Sequence, residues 1–184
     1  MAGVGHMNTS NRQSSLSRRG FLVASGGALL AFAAACSSDS GNGGSGATGA
    51  TIEHKYGSTE VPADPQRIVS VGYNDQDTVL ALGGTLVGTF DWYGDYPGGL
   101  WPWAKDIAGD NVPEIVASAS TGIDFAKVAV AAPDLIVATY SGLKRSEYDK
   151  LSAIAPTVAQ PKDFADYGVP WQEQAAILGD PLGQ

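Results

Sequence analysis

Short apolar runs alternate with segments of helical periodicity along residues 68–178, and this alternation constrains the fold more than any other feature of the sequence. The runs Ile68–Val71, Leu86–Phe90 and Leu135–Ala138 are rich in β-branched and other apolar residues, which is typical of buried strands. The segments between such runs are long enough to form helices. The pattern therefore predicts a parallel sheet flanked by helices, the arrangement of an α/β fold.

The same reasoning places the remaining elements. Thr51–Tyr56 and Glu60–Pro62 flank Gly57-Ser58, which predicts a short hairpin before the first buried strand. A brief strand is expected at Thr157–Ala159. The apolar periodicity and the breaking residues predict helices over residues 75–82, 125–132, 145–153 and 171–178.

Four polar residues are candidates for capping the N-termini of these helices. Asn74 and Asp75 precede the first helix, and Thr121 and Asp124 precede the helix that starts at Phe125. Asp75 and the nearby Asp77 are expected to serve this capping role rather than to bind a metal.

An export signal is predicted for residues 1–35. Arg18-Arg19 and the following Phe21-Leu22 resemble a twin-arginine signal. The run from Phe21 to Ala35 has no charge, and it is shorter than the roughly 20 apolar residues that a permanent membrane-spanning helix needs. It is therefore interpreted as the hydrophobic part of a cleavable signal peptide.

Small residues precede Cys36 and resemble a lipobox, although Ala33 stands where leucine is usual. Lipidation of Cys36 after cleavage would anchor the exported chain to the outer face of the cell membrane. Residues 36–50 are rich in Gly and Ser and predict a flexible linker between the anchor and a folded domain at residues 51–184.

Charge and cysteine content narrow the possible partners. Three of the eleven Lys and Arg residues precede Cys36, so eight basic residues remain beyond it against nineteen acidic ones. Such a domain is a poor candidate for binding nucleic acid, which requires clustered positive charge. Cys36 is the only cysteine, so no intramolecular disulfide can form and packing must stabilise the domain.

Several short motifs, taken in order, resemble the first part of periplasmic binding proteins for iron–siderophores and vitamin B12. They are Pro65-Gln66-Arg67-Ile68-Val69-Ser70, Asp77 to Gly83, Leu86-Val87-Gly88, Ala132-Pro133-Asp134-Leu135-Ile136, Leu151 to Val158 and Tyr167-Gly168-Val169-Pro170-Trp171. The resemblance covers roughly residues 57–184 and is nearest to actinobacterial iron–siderophore receptors of ABC transporters.

Members of this family have two α/β lobes with the ligand in the cleft between them. The resemblance implies that this chain holds the N-terminal lobe of a two-lobed class III periplasmic-binding-protein fold, with the C-terminal lobe absent as in a truncated receptor. It implies binding of a ferric siderophore without catalysis, and an ABC importer permease as the membrane partner. The alternatives are a haem or cobalamin binding protein of the same fold, a non-functional fragment, or an unrelated exported α/β domain.

Ligand contacts in this fold come from loops at the carboxyl ends of strands, where aromatic faces and cations suit bulky, often anionic chelates. The predicted ligand-binding residues are Tyr73, Asn74, Trp92, Tyr93, Tyr96, Tyr140, Ser141, Lys144 and Arg145. In the aromatic-rich loop 91–103, Trp101 and Trp103 are expected in the core and the others exposed. For the two basic residues the alternative is a solvated start of a helix.

Neither catalysis nor direct metal binding has a recognisable motif here. His54 is the only histidine after the predicted signal, and it lies in the hairpin. A receptor that bound a divalent metal directly would need several converging ligands. Iron is therefore expected only as part of a ferric siderophore, with no metal site and no cofactor of the protein's own.

Overall fold

The computed structural model describes residues 48–183. The predicted signal peptide, Cys36 and most of the predicted linker lie outside the described residues. None of the helices between residues 48 and 183 has the length and apolar character needed to cross a membrane.

An antiparallel hairpin opens the described region, as predicted. Strand β1 (Thr48–His54) pairs with β2 (Gly57–Pro62), and His54 lies opposite Gly57 at the turn. β1 starts inside the predicted linker, so residues 48–50 belong to the hairpin rather than to a flexible coil. The Lys55 amide donates a 2.9 Å hydrogen bond to the Gln160 carbonyl, which joins the hairpin to the edge of the main sheet.

The main sheet has six strands in the order β6-β5-β4-β3-β7-β8. Their bounds are β3 Ile68–Ser70, β4 Leu86–Asp91, β5 Glu114–Ser118, β6 Gly122–Ile123, β7 Leu135–Ala138 and β8 Thr157–Ala159. All neighbours pair in parallel except β6, which runs antiparallel to β5. The predicted parallel sheet is confirmed, with β3 at its centre.

Within residues 48–183, five α-helices accompany the sheet: α1 Asp75–Ala81, α2 Pro102–Ala108, α3 Phe125–Val130, α4 Arg145–Ser152 and α5 Trp171–Gly179. Four of them match predicted helices, and α2 was not predicted. Asp124 caps α3 as expected, since its carboxylate accepts from the amides of Ala126 and Lys127. Thr121 does not share that role, because its hydroxyl bonds to Ser118 instead.

The two faces of the sheet bury separate apolar cores. One core combines side chains of α1, α2 and α5, such as Val79 and Leu178, with Ile68 and Leu135 of the sheet. The other combines α3 and α4 with residues such as Ile136, the next position along β7. Alternate residues of β7 therefore point to opposite helix layers. Full burial of each Leu or Ile contributes about 1.5–3 kcal/mol to the free energy of folding.

Candidate ligand-binding site

Loops at the carboxyl ends of three central strands meet above β3. Strands β4 and β7 flank β3 on opposite sides, so the chain reverses its direction of travel across the sheet at this point. In open α/β sheets a crevice forms at such a reversal, and ligands bind there. The loops after β3, β4 and β7 carry Tyr73, Trp92 and Tyr140 to this crevice.

A cavity of about 340 Å³, here called the aromatic cavity, lies at the crevice and is lined by Tyr73, Trp92, Tyr140 and Tyr167. Tyr73 is central, because its ring centroid lies 5.5 Å from Trp92 and 5.3 Å from Tyr167, both edge-on. The Tyr73 ring also packs on Phe90, with 4.4 Å between the two ring centroids, and this contact holds the Tyr73 ring in place. The structure thus brings together three of the predicted ligand-binding residues.

Tyr167 is the lining residue that the predicted ligand-binding set lacks. It lies in the long loop after β8 and has a φ of 60°, a conformation that is unusual for a residue with a side chain. A Cβ atom at Gly142 would stand 2.6 Å from the Tyr167 hydroxyl, so glycine at that position leaves room for the phenol. The sequence signal that could have identified Tyr167 is its position as an aromatic residue in a loop that follows a predicted strand.

A second cavity of about 190 Å³, the adjoining cavity, shares Tyr73 and Tyr167 with the first. The loop after β5, the loop after β7 and the first turn of α4 also line it, and they contribute the polar residues Ser118, Ser141, Lys144 and Glu147. The Ser141 hydroxyl donates to the Ala138 carbonyl at 2.8 Å, which holds its loop against the end of β7. Ser141 and Lys144 therefore lie beside the aromatic cavity.

Beneath these cavities a fully buried carboxylate joins two of the loops. Asp75 accepts hydrogen bonds from the Thr139 hydroxyl at 2.7 Å and from the Tyr140 amide at 3.1 Å. Burial raises the pKa of Asp75 to about 6, against the effect of these bonds, which lower it. The expectation that Asp75 caps α1 is wrong, because its carboxylate bonds to the loop after β7.

Asn74, another predicted ligand-binding residue, occupies the N-cap position of α1. Within the described region its side chain makes no capping bond to that helix, and its Oδ1 atom is buried. Asn74 does not line either cavity among the described residues.

Tyr93 and Tyr96 belong to a neighbouring aromatic cluster rather than to the aromatic cavity. Both rings contact Trp101, at 4.7 and 4.8 Å between centroids, and Trp101 stacks on Trp103 at 5.1 Å. Tyr93 touches Trp92, so the cluster extends outward from the cavity. The expected core position of Trp103 is wrong: this residue is 59% exposed, and its Nε1 donates to Asp77 at 3.1 Å.

The two basic candidates at the start of α4 have different positions. Lys144 lines the adjoining cavity, while its amide donates to Glu147 Oε2 at 2.9 Å. Arg145 points elsewhere: its Nε donates to Asp149 at 2.7 Å, and its guanidinium lies over the rings of Tyr56 and Tyr148. The structure does not bring Arg145 to either cavity.

Among residues 48–183, no group of three or more His, Cys, Asp or Glu side chains is arranged to hold a metal. His54 is buried in the hairpin, where its Nε2 lies 2.9 Å from the Thr59 hydroxyl. Burial lowers the pKa of His54, and the charge of Glu53 opposes that shift. The imidazole therefore belongs to the packing between the hairpin and α4, and it does not face the crevice.

Comparison with known proteins identifies the family. A profile of the periplasmic binding protein family matches residues 64–184, a range that includes the main sheet and the whole lining of the aromatic cavity. The chain belongs to the periplasmic binding protein family. Its sheet with helices on both faces is that of the N-terminal lobe of such proteins, as the sequence predicts.

Three relatives illustrate the similarity. YhfQ of Bacillus subtilis, named as an ABC transporter substrate-binding lipoprotein, is 37% identical over 73% of this chain and 40% of its own length. A periplasmic solute binding protein from Mycobacterium smegmatis is 41% identical, with a TM-score of 0.67 over 72% of this chain and 46% of that one. The iron uptake protein PiaA of Streptococcus pneumoniae, in complex with ferrichrome, is 27% identical, with a TM-score of 0.62 over 72% of this chain and 44% of its own. The chain thus spans less than half the length of each.

Proposed function

We propose that this chain provides the ligand-binding surface of an ABC importer for a ferric siderophore and that it binds its ligand without catalysis. The observation that carries this proposal is the aromatic cavity, which lies at the carboxyl ends of β3, β4 and β7 in a fold of the periplasmic binding protein family. Aromatic rings at this position offer a large contact area with little loss of side-chain entropy, which suits a bulky chelate.

Iron enters this proposal as cargo held inside the chelate. The lining of the aromatic cavity consists of phenol and indole groups, which contact the organic shell of a ligand through their faces and donate hydrogen bonds from their edges. The complex of PiaA with ferrichrome supports a ferric chelate as the class of ligand. The partner of the chelate-bound chain would be the membrane permease of an ABC importer. The name of YhfQ, an ABC transporter substrate-binding lipoprotein, supports this partner.

Export and anchoring complete the proposal. The twin arginines and the apolar run would direct the chain out of the cytoplasm, and a lipidated Cys36 would hold it at the outer face of the membrane. The lipoprotein name of YhfQ supports this assignment. The Gly- and Ser-rich residues after Cys36 would give the domain reach above the membrane surface.

Titration of the chain with a ferric siderophore, followed by tryptophan fluorescence, tests the ligand class. We expect saturable quenching with a dissociation constant nearer to millimolar than micromolar. If this wall supplies half of the contacts, a micromolar binding free energy of about −8.2 kcal/mol falls to about −4 kcal/mol. Trp92→Phe should remove much of the quenching, because Trp92 lines the cavity.

Trp171→Phe is the matched control, since Trp171 is 69% exposed and does not line the aromatic cavity. It should lower the total fluorescence without lowering the fraction of the remaining signal that the chelate quenches. An absence of saturable quenching at millimolar chelate would contradict the proposed function. Equal quenching in wild type and Trp92→Phe would contradict the proposed site.

A further inference from the structure

The charges around the two cavities indicate which kind of chelate this chain accepts. The four side chains that line the aromatic cavity are all uncharged. The adjoining cavity adds one cation and one anion, Lys144 and Glu147. Within the part of the chain that the structure describes, the lining of the two cavities therefore has no net positive charge.

Two other basic side chains near these loops already have acidic partners. Arg145 pairs with Asp149 at 2.7 Å, and aromatic rings beneath its guanidinium hold it outside the crevice. Lys55 pairs with Asp166 at 2.8 Å, in the loop that carries Tyr167. Neither cation is placed to neutralise an anionic ligand over the aromatic cavity.

Acidic groups, in contrast, lie close to the cavity, since Glu147 lines the adjoining cavity and Asp166 precedes Tyr167. The pKa of Tyr167 is raised, first by burial and then by the nearby Tyr73, Asp166 and Glu147. Asp75 lies beneath the loops, where burial raises its pKa to about 6. The lining therefore offers a ligand no net positive charge, and the excess of acidic residues in the domain adds a negative background.

We propose that the aromatic cavity selects a neutral ferric chelate, such as a ferric trihydroxamate, over a multiply anionic one, such as a ferric tris-catecholate. This inference rests on the proposed function. Three singly charged hydroxamates neutralise Fe(III), whereas three doubly charged catecholates leave the complex triply negative. An anionic complex would lose its hydration at a lining whose one cation, Lys144, is offset by Glu147, whereas both complexes can pack on the aromatic faces.

Titration of the full chain with two probes tests this selectivity. The probes are ferrichrome, a neutral trihydroxamate, and a triply negative ferric tris-catecholate siderophore. Each probe is titrated to millimolar concentration, once at low and once at high ionic strength. We expect ferrichrome to bind at least about tenfold more tightly at low salt. The affinity for the anionic chelate should rise with salt because its repulsion is screened, and that for ferrichrome should hardly change.

The opposite salt response would overturn the inference, because an affinity for the anionic chelate that falls with salt would reveal attraction to cations. Equal or tighter binding of that chelate at low salt would overturn it as well, while leaving the proposed function intact. Failure of both chelates to bind at millimolar concentration would instead overturn the proposed function, and this inference with it.

The variant Glu147→Gln tests whether the charge of the cavity lining sets the preference for the neutral chelate. Glutamine keeps an acceptor for the Lys144 amide but removes the negative charge from the lining. We expect the ratio of the two affinities to narrow by about threefold or more. The matched control is Glu60→Gln, which makes the same change in net charge on the exposed face of β2. Equal effects of the two variants would mean that overall charge, rather than the cavity, sets the preference.

Discussion

The Asp75 carboxylate accepts a hydrogen bond of 2.7 Å from the Thr139 hydroxyl and thereby joins the start of α1 to the loop after β7. The same carboxylate accepts from the Tyr140 amide, and the Tyr73 amide donates to the Tyr140 carbonyl at 3.1 Å. These bonds fix the backbones of two residues that line the aromatic cavity. A charged group without exposure to water is costly, so its place at this junction indicates a positioning role.

Asp75→Asn should flatten the pH dependence of stability. The raised pKa means that the folded state binds this proton more tightly than the unfolded chain, whose Asp pKa is near 3.8. The stabilisation is therefore complete below about pH 4 and is lost as the pH rises through about 6. At 1.36 kcal/mol per pKa unit the loss amounts to about 3 kcal/mol. Urea unfolding at several pH values would measure it.

The informative quantity is the difference in unfolding free energy between wild type and Asp75→Asn, since other carboxyls titrate in both proteins. Wild type should lose stability relative to the variant between about pH 4 and pH 7. Parallel curves over this range would show that the Asp75 carboxyl titrates as it does in water, and the argument from its burial would then be wrong.

Gly72→Ala should destabilise the fold through Asp75. A Cβ atom at Gly72 would overlap with Oδ2 of Asp75, so the carboxylate would have to leave its bonds to the loop after β7. Overpacking of this kind costs about 1–3 kcal/mol. Asp75→Ala removes the carboxylate that the new Cβ atom would overlap. The unfolding free energy lost in the double variant Gly72→Ala, Asp75→Ala should therefore be clearly smaller than the sum of the losses in the two single variants. Strict additivity in this double-mutant cycle would contradict the overlap.

Four strands of the main sheet could be predicted from the sequence, because they are short apolar runs that are largely buried. Leu135–Ala138 has no exposed residue, and its predicted bounds match the structure. β5 is not predicted from the sequence, because only Val116 and Ala117 are buried in it and its apolar pattern is therefore weak. α2 is not predicted for a similar reason, since Ala104 is its only buried residue and its large apolar side chains, Trp103 and Ile107, are exposed.

The site was harder to predict than the fold, because it depends on contacts between distant loops. Tyr73, Trp92 and Tyr140 follow predicted strands directly, so sheet topology alone brings them together. Tyr167 reaches the cavity only through a left-handed backbone and the space at Gly142, which sequence patterns do not reveal. The pairing of Arg145 with Asp149, in contrast, follows the i, i+4 spacing of a helix and was readable from the sequence.

Cys36→Ala should release the protein from the membrane if Cys36 carries the anchor. An acyl chain gains about 0.8 kcal/mol for each CH₂ group that it buries in the bilayer, and the substitution removes the sulfur to which it is attached. Fractionation of cells that express wild type and variant, followed by immunoblotting, would measure the change. Ser37→Ala is a suitable control, because it alters the next residue and keeps the cysteine. Retention of Cys36→Ala in the membrane fraction would reject the lipoprotein assignment.

Tyr73→Ala and Arg145→Ala should separate the cavity from its surroundings. Tyr73 lines the aromatic cavity and contacts both Trp92 and Tyr167. Tyr73→Ala therefore removes one aromatic face from the ligand and the support of two others, so it should weaken ferrichrome binding about tenfold or more. Arg145→Ala should leave binding nearly unchanged and cost at most about 1 kcal/mol of stability, because it removes an exposed ion pair. Far-UV circular dichroism would verify that both variants fold. A strong loss of ferrichrome binding in Arg145→Ala, with binding retained in Tyr73→Ala, would show that Arg145 contributes to the ligand-binding site and would contradict this prediction.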